Sequence, residues 1–272
     1  MIRGDLLQLG VRIMGDIIRV KNASYARYEE LILRRDSVSK TAFQYNQEYI
    51  RRFGELILKV FEKKIDCIRK KKTIEYCQMM TNHGKKVDAA ALQEYLRQEL
   101  EEFMIQLAEM TENVAAAENA TTISAADILE IRKIYRRLVK LIHPDINPKT
   151  AQSKELSELW NRLTVAYRCN SLKEMRETEV LIMKVLEQDG MDETEIFIEN
   201  IDEKIEALEE EIEEIMSTDP YTYGELLASE EKCAEKKAQL EEELKTYEEY
   251  SEQLEKIIAE QISGGFSFIW KG

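Results

Sequence analysis

The apolar residues Ile131, Ile134, Tyr135, Leu138 and Ile142 fall at i, i+3, i+4, i+7 and i+11, and Leu156, Leu159, Trp160, Leu163 and Tyr167 repeat that spacing after a short gap. Such a period lines each set along one side of a helix, and both sides must then be buried. The gap contains Pro144 and Pro148, two of only three prolines in the chain. A proline disfavours helical geometry at the residue before it and lacks the amide that a continuing turn needs, so the first helix stops near Ile142. Two helices with matching stripes and a short connection make an antiparallel hairpin. Arg132, Lys133, Arg136, Arg137 and Lys140 occupy the other faces of the first helix and project a positive field into water.

Three prolines and ten glycines in 272 residues argue against the many turns of a β-rich fold. The expected class is therefore all-α, a helical bundle with this hairpin and a C-terminal antiparallel coiled-coil hairpin. Residues 1–120 form an N-terminal helical region with main segments at 25–36, 41–80 and 89–113. Asn82, His83 and Gly84, followed by Lys85 and Lys86, read as a helix end. His83 has no second ligand at metal spacing and is a poor zinc candidate. The hairpin region spans 121–190, where Ser171 and Glu174 have the form of a capping box. Residues 191–263 are acidic, with 25 Asp or Glu against 6 Lys or Arg over 192–262. Ile201, Ile205, Leu208, Ile212 and Ile215 nevertheless keep a coiled-coil seam, and Leu226, Cys233, Leu240, Tyr247 and Leu254 keep another after the break at 217–224. Closure of these arms on one another is the simplest account. An overhang is left to pair with a second copy or to fold back on the basic helix. The tail, 264–272, carries Phe266, Phe268 and Trp270 after two glycines.

The stretch Glu130-Ile-Arg-Lys-Ile-Tyr-Arg-Arg-Leu138, then His143-Pro144-Asp145, then Leu159-Trp-Asn-Arg-Leu-Thr-Val-Ala-Tyr167 resembles the J-domain of the DnaJ family. The resemblance covers roughly residues 125 to 170. It implies a co-chaperone that docks on an ATP-bound DnaK-type chaperone and stimulates its ATP hydrolysis, with the remaining helices choosing the client or the location. It further implies that Arg132, Lys133, Arg136, Arg137 and Lys140 meet an acidic surface of the chaperone, that His143 and Asp145 make the signalling hydrogen bonds, and that Pro144 fixes their direction. The aromatic-rich first helix of the family is not recognisable before the basic helix. Either residues upstream, such as the apolar positions of 91–117, supply that packing surface, or the domain is incomplete. The family's zinc module and Gly/Phe-rich linker have no counterpart here.

No phosphate-cradling glycine loop, His-Glu-x-x-His or Gly-x-Ser-x-Gly occurs, so no enzyme, cofactor, catalytic residue or metal site is expected. Cys67, Cys77, Cys169 and Cys233 are scattered and suit reduced thiols in a cytoplasmic protein. No apolar run approaches a membrane span, and the stripe Leu6, Leu9, Ile13, Ile17 and Val20 suits helix packing. Residues 1–80 hold 17 Lys or Arg against 10 Asp or Glu, with a cluster at Lys63, Lys64, Arg69, Lys70, Lys71 and Lys72. The neighbouring Tyr45, Tyr49 and Phe53, at i, i+4 and i+8, suit a buried stripe better than base-stacking platforms, which argues against nucleic acid as the partner. The alternative to a co-chaperone is a structural or adaptor protein that retains the hairpin and acts through its coiled coil.

Overall fold

The computed structural model describes residues 3–118, 123–188, 200–263 and 268–269, of which 3–22, 118, 148, 188, 262–263 and 268–269 are described as backbone alone. The stripe Leu6 to Val20, the start of the acidic region at 191–199 and the aromatic side chains of the tail lie outside the described side chains. In chain order the elements are α1 (Arg3–Asn82), β1 (Val87–Asp88), α2 (Ala89–Glu118), α3 (Ala125–Ile142), α4 (Pro148–Gln152), α5 (Lys154–Arg168), α6 (Leu172–Gln188), α7 (Ile201–Ser217), α8 (Tyr223–Leu227), α9 (Glu230–Ser263) and β2 (Phe268–Ile269). The fold is all-α, with one two-residue parallel pairing of Val87 with Phe268 and Asp88 with Ile269. The chain divides into two compact units, Met1–Tyr45 with Thr121–Thr222, and Asn46–Ala120 with Tyr223–Gly272.

The break expected at 37–40 is absent, and α1 is a single helix. Ser37-Val-Ser-Lys40 holds no proline or glycine, and the Thr41 hydroxyl donates to the Ser37 carbonyl at 2.9 Å, a bond that helical backbone accommodates. The end of α1 matches the sequence. Gly84 takes a positive φ of 66°, and Gly84 and Lys85 donate their N–H groups to the carbonyls of Thr81 and Met80 (2.8 and 2.9 Å), which is a Schellman closure.

In the first unit the hairpin forms as expected. Ser124 caps α3 by accepting from the Asp127 N–H at 3.1 Å, and Ser153 caps α5 by accepting from Leu156 at 3.3 Å. Helix α5 ends with Asn170 in the left-handed region, φ 54°. Ser171 accepts from the Glu174 N–H at 3.4 Å, but the reciprocal half of a capping box is missing. Instead the Ser171 N–H donates to Ala166, and the Glu174 carboxylate accepts from Arg162.

Ile131, Leu138, Ile142, Leu156 and Leu163 are fully enclosed in one core, which also holds Met175 and Ile182 of α6 and Leu208 and Ile212 of α7. The remaining cover comes from Tyr28, Leu31 and Ile32 of α1. The segment 91–117 does not serve this hairpin, because its residues belong to the second unit. Helix α1 fits the role because Tyr28, Leu31 and Ile32 share one helical side with Arg35 and Asp36, which reach the hairpin's polar edge.

The two acidic arms pack differently from a self-closing antiparallel hairpin. Each has α1 as its partner within its own unit, and each runs parallel to it. In the first unit Ser24 meets Asp202 and Arg27 meets Glu209, at sequence separations of 178 and 182. In the second, Phe53, Val60, Cys67 and Ile74 recur every seven residues along α1 and are buried. They face an equal heptad on α9, with Phe53 clustered with Cys233 and Leu240, and Cys67 and Ile74 with Tyr247 and Leu254. Two matched heptads of the same direction make a longer seam than the short turn at 217–224 could bring together. The Cys67 thiol donates to the Tyr247 carbonyl at 3.2 Å, a separation of 180.

The seam has one polar layer. Ser251, 2 % exposed, donates to Asp66 at 2.8 Å and accepts from Lys70, which also pairs with Asp66 and Glu255. Half of the basic cluster is therefore spent inside the protein, since Lys63 pairs with Asp66 and Lys72 with Glu99. Phe53 is buried with Tyr49 against it, and Tyr49 stacks on Tyr223, as a packed stripe would. All four cysteines are free, three of them buried.

Leu31→Ala should destabilise the first unit by about 2–5 kcal/mol, read as denaturant unfolding through Trp160 emission in a Trp270→Phe background. Ser251→Ala removes a partner from both Lys70 and Asp66 and should cost about 1–3 kcal/mol, read as an earlier loss of helical circular dichroism.

Candidate functional site

His143 ends α3. Its backbone is extended, φ −62° and ψ 127°, as the following Pro144 demands, and its N–H closes the last helical turn on Val139 at 3.0 Å. Its carbonyl accepts the N–H groups of Ile146 and Asn147 at 2.9 and 2.7 Å. The loop is thus wound around this one residue. The imidazole is 2 % exposed and meets the ring of Trp160 edge-on at 4.7 Å.

Both ring nitrogens face donors. Nδ1 lies 3.1 Å from the Asp145 N–H, and Nε2 lies 3.3 Å from Nη2 of Arg35. A neutral imidazole has one lone pair, so it accepts one of these groups and opposes the other, while an imidazolium would oppose both. Burial, helped by the Arg35 charge and resisted by Asp145 and Asp36, pushes the His143 pKa below its ordinary value.

Arg35 is held from the other side. Its Nε and Nη2 donate to Oδ1 of Asp36 at 3.1 and 2.9 Å, and Oδ2 of Asp36 accepts from the Tyr135 hydroxyl at 2.8 Å. Burial, with the Asp36 carboxylate beside it, raises the Tyr135 phenol far above its usual range. Tyr135 stacks on Tyr167 with centroids 3.8 Å apart and planes 9° apart. Lys40 places its ammonium 3.9 Å from the centroid of the Tyr167 ring. These groups border a cleft of about 400 Å³ that reaches from Arg35 and Lys40 past the loop to Trp160 and Arg168.

The residues singled out in the sequence separate into three groups. His143 is sealed inside, Pro144 is half-buried, and Asp145 is exposed, its carboxylate 3.8 Å from Nδ1 of His143. Arg132, Lys133 and Arg136 stand in solvent on α3 and make no ion pair among the described residues. Arg137 and Lys140, on the same helix, are tied down, the first to Glu179 and the second to Glu29 at 2.7 Å. Of the α7 carboxylates, Glu209 pairs with Arg27 and Glu211 lies 3.7 Å from Arg35, both on α1, and among the described residues none pairs with Arg132, Lys133 or Arg136. Arg35, Asp36 and Lys40 belong to this site as well. Nothing local marks them, since Arg-Arg-Asp followed by Ser-Val-Ser-Lys reads as an ordinary helix surface ending in a break.

No protein-family model, no curated protein and no solved structure matches this chain. Among the described residues no helix is long and apolar enough to cross a membrane, and no three His, Cys, Asp or Glu side chains are placed to share a metal ion.

A native imidazole that resists protonation makes the fold weaker in acid. The unfolded chain takes up a proton near pH 6.5 and the native one only at lower pH, so stability is complete above that value and falls below it, by up to about 1.4 kcal/mol per pH unit. Nuclear magnetic resonance titration should place the His143 transition below 6.5, and His143→Gln should flatten that part of the acid dependence.

Proposed function

We propose that the first unit is a docking module of the J-domain type, which engages a DnaK-type chaperone and stimulates its ATP hydrolysis, while the coiled-coil unit selects client or location. One observation carries the reading. Three exposed cations, Arg132, Lys133 and Arg136, lead along α3 into a His-Pro-Asp loop whose aspartate stands in solvent. Such a row attracts an acidic surface and speeds encounter, and the carboxylate at its end is placed to accept hydrogen bonds from the docked partner. His143 works from beneath, as the post around which the loop is wound, with Pro144 fixing the exit. The hydrolysis is the chaperone's chemistry, and this chain lends it binding energy alone.

The burial of His143 favours a second reading. Both ring nitrogens face groups of the fold itself, Arg35 and the Asp145 N–H, which suits an adaptor that keeps the hairpin as a structural element and acts through its coiled coil.

Steady-state ATP hydrolysis by a DnaK-type chaperone separates the two. The full chain should raise the rate several-fold. Asp145→Asn, and separately Arg132→Glu with Arg136→Glu, should remove most of that rise, a loss of about tenfold for each 1.4 kcal/mol of contact removed. Circular dichroism should stay native, because the side chains changed are themselves exposed. A folded wild type that leaves the rate unchanged would discard the co-chaperone and leave the adaptor.

A further inference from the structure

We propose that the cleft between α1, α5 and the His-Pro-Asp loop is a carboxylate-binding site, with Lys40 in its wall and Arg168 at its edge, that takes an acidic side chain of a protein partner. The proposal goes beyond the docking reading above and stands without it, since neither the argument nor the test involves a chaperone.

The first observation is an ammonium group without a counterpart. Lys40 is 6 % exposed, its Nζ has no hydrogen-bond partner, and the face of Tyr167 at 3.9 Å is its one compensating contact. A lysine carries three N–H donors, and burying its charge without an acceptor carries a penalty that a cation–π contact offsets only in part. The debit is large for a residue that a methionine could replace. Lys40 lines the cleft, and its four-carbon stem lets the ammonium swing from the ring face into the open volume.

The second observation is that the surrounding charge is uncompensated. Of the cations bordering the cleft, Arg35 is spent on Asp36, while Arg168 is exposed and forms no ion pair among the described residues. Arg132 stands near enough for its charge to act on Lys40. Burial first, and then that like charge, bring the Lys40 pKa down to about 8. Burial raises the pKa of the Tyr167 hydroxyl, and the charges of Arg132 and Arg136 oppose that rise. A cluster that lowers its own lysine is relieved by an anion. A carboxylate offers two oxygens, one for the ammonium and one for a neighbouring guanidinium.

The third observation selects the occupant. Arg132, Lys133 and Arg136 continue the positive surface from Lys40 along α3, so a segment with successive acidic side chains meets successive cations. The rings of Trp160 and Tyr167 in the cleft give apolar walls to the methylenes of a glutamate. A free anion would use the floor of the site and none of this row.

The test uses the full chain carrying Trp270→Phe, which leaves Trp160, in the cleft itself, as the single tryptophan. Hexaglutamate, hexaglutamine and inorganic phosphate are titrated separately while Trp160 emission is followed. Hexaglutamate should bind saturably and more weakly as salt rises, and hexaglutamine should not bind. Lys40→Met should weaken hexaglutamate tenfold or more, Arg168→Gln several-fold, and Lys154→Gln, on the exposed start of α5, not at all. The melting temperature of Lys40→Met should equal or exceed that of the parent, since the change removes a buried unpaired charge, and this separates a lost site from a lost fold. Undiminished hexaglutamate binding by Lys40→Met would overturn the site. Phosphate binding that depends on Lys40, with no response to hexaglutamate, would overturn the acidic peptide as its occupant.

Discussion

Leu31 and Ile32 are completely enclosed, and they lie on a helix that sequence separates from the hairpin they cover by about a third of the chain. A pair of amphipathic helices joined by a short loop buries one stripe of each and leaves an apolar flank that two helices alone cannot close. Helices α6 and α7 cover part of that flank, and the side chains of α1 cover the rest. The second unit depends on α1 in the same way, through the heptad from Phe53 to Ile74. The polar edge follows from this placement. Because Leu31 and Ile32 are fixed, Arg35 and Asp36, one helical turn on, must face the end of α3, where a guanidinium, a carboxylate, a phenol and an imidazole complete one another.

That arrangement alters what the loop can offer a partner. In a free-standing turn, histidine and aspartate would both be available. Here the imidazole is consumed in shaping the turn, and the accessible chemistry passes to Asp145 on one side and to the row of cations on the other. Lys40 extends the row onto a different helix. A binding surface assembled from α1, α3 and α5 is rigid in proportion to the cores beneath it, and a rigid surface loses less entropy on docking than a loop that must first be ordered.

The hairpin was legible because its information is local. The stripes at 131–142 and 156–167 and the two prolines fix facing side and stop within a few residues of where they act. The end of α1 at Gly84 was legible for the same reason. The partner of each stripe was not. Residues 91–117 carry apolar positions as good as those of 25–36, and choosing between them requires knowing which segment lies where. The heptad at Phe53, Val60, Cys67 and Ile74 is plain in the sequence, as is that at Cys233, Leu240, Tyr247 and Leu254, yet a break rich in turn formers suggested that neighbours in sequence would pair. Heptads specify that a seam exists and leave its direction to the rest of the chain. Within the site, Asp145 and the α3 cations could be found by motif, whereas Arg35, Asp36 and Lys40 became meaningful once α1 had a place.

The parallel register of α1 with α9 has a consequence for how the protein is made. Cys67 meets the carbonyl of a residue 180 positions later, and Arg52 meets the carboxylate of Glu230, 178 later. A ribosome adding about 5–20 residues per second needs roughly 9–36 s to deliver the matching strand of that seam. Throughout this interval the emerging α1 carries a long apolar seam whose α9 partner is not yet made. Its fate in those seconds is decided by what else the nascent polypeptide meets, including the same helix on a neighbouring ribosome of the polysome.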